Sequence, residues 1–98
     1  MENNELIPVH HFCVLHSVEL SFIESLQQYG LVEISSIEEK PYLKESQLGE
    51  LEKFVRLHYD LDINIEGIEA ISHLLQQLQD IHARNMQLQN RLRLYERL

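Results

Sequence analysis

Apolar residues recur along this chain with several different spacings, and each spacing predicts a different kind of element. Residues 8–16 (PVHHFCVLH) predict a short first helix, with Pro8 tolerated in its first turn. Ser17 and Val18 make a turn. Residues 19–29 follow as a second helix, where Leu20, Ile23 and Leu26 fall three residues apart and Gly30 stands where a helix stops. Residues 31–35 and 42–44 predict two short strands, and Pro41, which lacks a ladder donor, assigns the second to a sheet edge. Together they form a small wing. Residues 45–59 predict a third helix with Leu48, Leu51, Val55 and His58 on one face. Glu52 and Arg56 would pair one turn apart on its surface, and Gly49 is its weak point. Leu61 to Ile63 connects, and Asn64 is suited to cap the last helix.

That last helix carries the clearest pattern. With heptad a positions at Ile71, Leu78, Asn85 and Leu92, the d positions are Leu74, Ile81, Leu88 and Tyr95. Seven of these eight are apolar and the repeat runs unbroken from Ile71, so it predicts a coiled-coil seam and not a stripe packed on the chain's own head. Dimerisation through Ile71, Leu74, Leu78, Ile81, Asn85, Leu88 and Leu92 is the expectation. In a parallel pair Asn85 would face its own copy and fix the register, and Arg91 and Glu96, at g and e positions, would pair across the dimer. The division expected is a head over residues 5–66 and a dimerisation helix over 67–98. At 98 residues this is one small domain with a helical extension. A head of about 60 residues buries only about 60% of its unfolded surface, so self-association would add useful stability.

The head is a helix-turn-helix by this reading, but its charge is wrong for nucleic acid. The second helix, the element that would enter a DNA groove, carries Glu19 and Glu24 and neither lysine nor arginine. Affinity for a duplex rests largely on cations that neutralise phosphates. The net charge of −8 is also unevenly spread. Residues 1–80 hold four cations (Lys40, Lys44, Lys53, Arg56) against fifteen carboxylates, a net of −11, while residues 81–98 hold four arginines against Glu96, a net of +3. Such a head repels nucleic acid at long range and favours basic protein surfaces.

Other functions find little support. The single cysteine, Cys13, fits a reducing compartment, the start MENNELIP has no signal-peptide pattern, and no apolar run reaches the roughly 18 residues of a membrane span, so a cytoplasmic protein is expected. His10, His11, Cys13 and His16 crowd the first helix. A soft-metal site would draw on four ligands and no second cluster stands elsewhere, so Phe12, Cys13 and Leu15 are assigned to the core and the histidines to its margin. The three glycines are isolated, which removes a phosphate-cradling loop. Neither cofactor, metal nor enzymatic activity is expected.

Residues 17–31 (SVELSFIESLQQYGL), the short wing, residues 45–68 and the long helix follow the layout of MerR-type winged helix-turn-helix regulators. Within that group the chain resembles the chaperone-modulatory proteins of the CbpM type. Three stretches carry the likeness: Phe12-Cys13-Val14-Leu15-His16, Tyr29-Gly30-Leu31-Val32-Glu33, and Val55-Arg56-Leu57-His58 through Leu61-Asp62 to Gly67-Ile68. The resemblance implies a mainly α fold, a MerR-like winged helix-turn-helix head with a small two-stranded wing followed by a long C-terminal coiled-coil helix. It also implies dimerisation through antiparallel long helices, where the heptad pattern alone favours parallel ones. Where MerR-type regulators usually carry basic or aromatic DNA-contacting side chains, this chain has Ser21, Glu24 and Ser25, and its wing tip has Glu38 and Glu39. DNA binding is therefore not expected, and a MerR-type transcription regulator is the alternative. Members of the CbpM group bind the J-domain of a DnaJ-like co-chaperone and inhibit it. J-domains present a basic helix, so complementary charge would speed and orient the encounter. The partner surface expected from the residues themselves is Glu19, Glu24, Gln28, Glu38 and Glu39.

Overall fold

A computed structural model describes residues 5–97 and orders them as follows. A strand β1 (Leu6–Pro8) leads into helix α1 (Val9–His16), and helix α2 (Leu20–Gln28) follows. Strands β2 (Ile34–Ile37) and β3 (Lys40–Lys44) form the wing hairpin. A 3-10 turn (Glu45–Gln47), helix α3 (Leu48–Val55) and a π turn (Arg56–Asp60) lead to the long helix α4 (Ile65–Glu96). This is the winged helix-turn-helix head and long helix that the pattern predicts.

The helix ends follow from local chemistry. Gly30, with φ of 75°, closes α2: its N–H donates to the Gln27 carbonyl and the Leu31 N–H reaches back to Leu26, both at 2.9 Å. That pair of bonds satisfies carbonyls the helix leaves free and requires a left-handed residue. Ser17, with φ of 54°, closes α1 by the same geometry, its neighbour Val18 donating to the Cys13 carbonyl at 2.9 Å. The Asn64 side chain caps α4 by accepting from the Gly67 N–H at 2.8 Å.

Several expectations are corrected. Pro8 is not in the helix; its extended ψ of 133° ends β1 and leaves it as the α1 N-cap. The sheet is three-stranded and antiparallel, ordered β1-β3-β2, so β3 is central and not at the edge. Pro41 is tolerated there because β1 reaches only Tyr42 to Lys44; Pro41 pairs with Ser36 of β2 and has no neighbour on its other side. The first wing strand starts at Ile34, three residues later than expected, because Leu31 and Val32 complete the α2 stop and Val32 turns into the core. The expected third helix divides into the 3-10, α and π segments, with Leu61 N–H donating to the Arg56 carbonyl five residues back.

The core joins α1, α2, the sheet, α3 and the first turn of α4 through Val9, Phe12, Phe22, Ile23, Leu26, Leu43, Leu51, Phe54 and Ile68. Each such side chain contributes on the order of 1.5–3 kcal/mol by leaving water. Leu15 is not among them and is 79% exposed, since the inner stripe of α1 is Val9, Phe12 and Cys13. Leu20 is likewise half-exposed, its expected place taken by Phe22. Glu52 faces His16, whose Nε2 lies 3.7 Å from its carboxylate, instead of pairing with Arg56. Gln47 grips the backbone of Glu33 at both ends, accepting its N–H at 2.7 Å and donating to its carbonyl at 2.8 Å, which ties the wing to the start of α3. Among the described residues no helix is long and apolar enough to cross a membrane.

Candidate functional site

The face that a DNA-reading domain would present consists of the outer side of α2 and the wing. Phe22, Ile23 and Leu26 turn α2 inward, which leaves Ser21, Glu24 and Gln28 exposed on the opposite side. Glu24 and Gln28 stand one turn apart on one stripe. Glu19 is the α2 N-cap, with an exposed carboxylate that accepts from the Ser21 hydroxyl at 3.4 Å. Glu38 and Glu39 form the two-residue tip of the wing, between the paired Ile37 and Lys40. Among the described residues no hydrogen bond or ion pair joins this tip to α2. The acidic face thus has two separate parts, one helical and one at the hairpin.

The tip is strained. Glu38 and Glu39 have φ of 52° and 66°, the left-handed pair that a tight hairpin turn needs and that Asn-Gly adopts best. An ordinary L-residue is disfavoured there by roughly 1–2 kcal/mol. The double variant Glu38→Asn/Glu39→Gly is therefore expected to raise stability by about 1–2 kcal/mol in a chemical denaturation curve. An unchanged or lowered midpoint would contradict that backbone geometry.

The cations lie off α2, though two of them are on the wing. Lys44 lies 3.8 Å from the Glu33 carboxylate. Lys53 and Arg56 border a groove between α3 and α4 with Leu57, Ile71 and Leu75. Lys40 opens β3 beside the acidic tip. On α1, His10 and His11 are exposed beside Val14 and Leu15, whereas Cys13 points into the core, where burial pushes its thiol pKa up. His16 stacks on Phe12 with ring centroids 4.3 Å apart. Among the described residues no three His, Cys, Asp or Glu side chains gather as a metal site would need.

Three residues outside the expected surface prove central to its geometry. The backbone N–H of Glu19 donates to the Tyr59 hydroxyl at 3.1 Å, and at the other end of α2 the Tyr29 hydroxyl donates to the Glu66 carboxylate at 3.1 Å. These contacts span 40 and 37 residues, so no local pattern announces them. The bond to Glu66, together with the negative charge of Glu66, slight desolvation and the charge of Glu69, raises the Tyr29 pKa above its ordinary value. The folded state holds this proton more tightly than the unfolded one. Its contribution is complete below the ordinary tyrosine range and is lost as pH rises through the raised value.

The residues expected to dimerise lie along α4. Ile71 is half-buried against the head, while Leu74, Leu78, Ile81, Asn85, Leu88 and Leu92 are exposed on the single chain. A head of this shape followed by a free-standing helix directs the comparison with known families. The family model described as MerR HTH family regulatory protein matches residues 7–90. The chain belongs to the MerR HTH family. Comparison with curated proteins and with solved structures finds no match. The match takes in every element of this MerR-family chain from the middle of β1 to most of α4, so the head and helix are shared family architecture. The charge of the α2 face belongs to this chain's own side chains.

Proposed function

We propose that this MerR-family protein acts by binding another protein: it is an inhibitor or adaptor of a DnaJ-like co-chaperone and engages that partner's J-domain. The observation that carries this reading is the outer face of α2, where Glu19 and Glu24 are exposed and no lysine or arginine is present. Glu38 and Glu39 at the wing tip extend the same polarity. The likeness of residues 12–16, 29–33 and 55–68 to the CbpM type supports the choice of partner, and the basic helix of a J-domain is the complement such a face requires. The chain works as a homodimer joined along the exposed row of α4.

Calorimetric titration of the protein with an isolated J-domain tests the reading. Binding is expected at low salt and should weaken as salt screens the rim charges. Glu24→Lys combined with Glu39→Lys should weaken it by about tenfold or more, because each change replaces attraction by repulsion. Absence of binding at low salt overturns the proposal. The family match favours a second reading, a DNA-binding regulator. It requires a salt-sensitive mobility shift on duplex DNA, and a duplex that is not shifted even at low salt excludes it.

A further inference from the structure

We infer that the cleft between α2 and the α3–α4 junction is a socket for one arginine side chain of the basic protein partner. The inference rests on the protein-binding reading above and names the point at which the partner is anchored.

The cleft is held open by the two tyrosine contacts at its ends. Glu19 N–H to Tyr59 hydroxyl and Tyr29 hydroxyl to Glu66 carboxylate, each 3.1 Å, tie α2 to the junction at either side of Ser21 and Ser25. Between them lies a cavity of about 210 Å³ bordered by Glu19, Ser21, Phe22, Ser25, Tyr59 and Ile65, with His58 at its wall. Glu19 and Ser21, exposed at the start of α2, stand at its border.

Its chemistry suits a planar cation. The walls are aromatic: Phe22 stacks on His58 with centroids 4.5 Å apart, and Tyr59 meets Phe22 edge-on at 5.5 Å and 75°. Tyr59 is 42% exposed, so part of its ring is available to a ligand. The polar groups are acceptors or adaptable hydroxyls. Glu19 supplies a carboxylate, Ser21 and Ser25 supply hydroxyls, and neither lysine nor arginine borders the space. The Tyr59 oxygen accepts from Glu19, which leaves its own proton to donate elsewhere. His58 Nδ1 lies 2.9 Å from the Ile63 carbonyl, which can only accept, so in the neutral ring Nδ1 carries the proton and Nε2 keeps a lone pair.

A guanidinium uses such a site better than an ammonium does. It lies flat against an aromatic ring and offers two parallel donors to one carboxylate. A phosphate would meet Glu19 with like charge, which excludes the nucleic-acid backbone as occupant. The head's excess of carboxylates adds long-range attraction for a basic partner.

The probe is N-acetyl-arginine amide, titrated into the isotope-labelled full chain and followed by amide resonances, with N-acetyl-glutamine amide as control. Arginine amide should produce saturable shifts at Glu19, Ser21, Ser25 and Ile65 that the control does not. Glu19→Gln should abolish them without unfolding the head, because the fold uses the Glu19 backbone N–H and not its carboxylate. The same variant should weaken J-domain binding by about tenfold, the usual effect of losing one charge-assisted hydrogen bond. Shifts that are absent, or spread equally over Glu38 and Glu39, overturn the socket. If the cleft resonances move with protein concentration alone, an arginine of a second copy occupies it, and the proposal also fails. The two levels separate cleanly. A J-domain that binds parent and Glu19→Gln equally removes the socket and leaves the protein-binding reading standing. A seated arginine amide with no J-domain binding removes the choice of partner and leaves the socket.

Discussion

Leu78→Asp combined with Leu88→Asp is expected to leave the protein monomeric at concentrations where the proposed dimer of the parent should form, as read by sedimentation equilibrium. Both leucines are about 60% exposed on the single chain, so within one copy they touch little and their loss should not unfold the head. In a dimer the change removes four leucines from the seam. At about 1.5–3 kcal/mol each this weakens association by roughly four powers of ten or more, before counting the cost of carboxylates in an apolar seam. A double variant that still dimerises would place the interface elsewhere. The charge distribution also argues for the direction of pairing. A parallel pair sets two heads (residues 5–66, four cations against twelve carboxylates) of −8 side by side, whereas an antiparallel pair lays the basic tail of each copy along the acidic start of the other's long helix. Centred near residue 83, an antiparallel seam joins Ile71 to Tyr95, Leu74 to Leu92, Leu78 to Leu88 and Ile81 to Asn85 of the second copy. Every a and d position then has a partner. Asn85→Leu distinguishes the two arrangements: it tightens an antiparallel dimer without changing its stoichiometry, and in a parallel one it shifts the oligomeric state.

The second large effect concerns the joint between head and helix. Ile68→Ala is expected to lower stability by about 2–5 kcal/mol, the range for deleting a fully buried aliphatic side chain, measured as a reduced denaturation midpoint. Ile68 is the fully buried residue of α4 and enters the head core, where Ile65 packs beside it. Total stability of small domains is on the order of 5–15 kcal/mol, so the variant loses a large fraction of it. Ile81→Ala, exposed on the same helix, should leave the unfolding of the monomeric chain, measured at a concentration too low for association, unaffected. Equal effects at the two positions would show that the head does not grip α4 where the packing places it.

The features legible from sequence are those decided locally. Gly30 needs only its own φ to end α2, and Asn64 needs only Gly67, three residues on, to begin α4. The bare acidity of α2 is legible for the same reason, since the letters alone show that it carries carboxylates and neither lysine nor arginine. What depended on distant partners was not legible. Leu6, Ile7 and Pro8 have no strand character without Tyr42 to Lys44 beside them, and Pro8 followed by a helix reads equally well as a first-turn proline. Leu15 has helical spacing to its neighbours, but which stripe of an eight-residue helix turns inward is settled by the sheet and α2. The cleft was invisible for a like reason. Its walls come from the start and middle of α2, the π turn and the first turn of α4, and the π turn itself breaks the periodicity on which a continuous third helix was expected. Charged positions on a face are read from a string of letters; the hollow between two faces is not.

The long helix has one consequence that is mechanical. Its 32 residues make a rod of about 48 Å held at one end by buried Ile68, by Ile65 and Ile71 at the edge of the core, by the Tyr29–Glu66 bond and by the Asn64 cap. A tilt of about 10° at that pivot carries the far end through about 8 Å, a displacement set by rod length alone. Ile65 and Glu66, which border and brace the cleft, belong to the first turn of the same rod. A ligand that spreads or closes the cleft would therefore work on the short arm of a lever whose long arm is the rest of α4. In the proposed dimer, a small rearrangement at the cleft would be magnified along that rod.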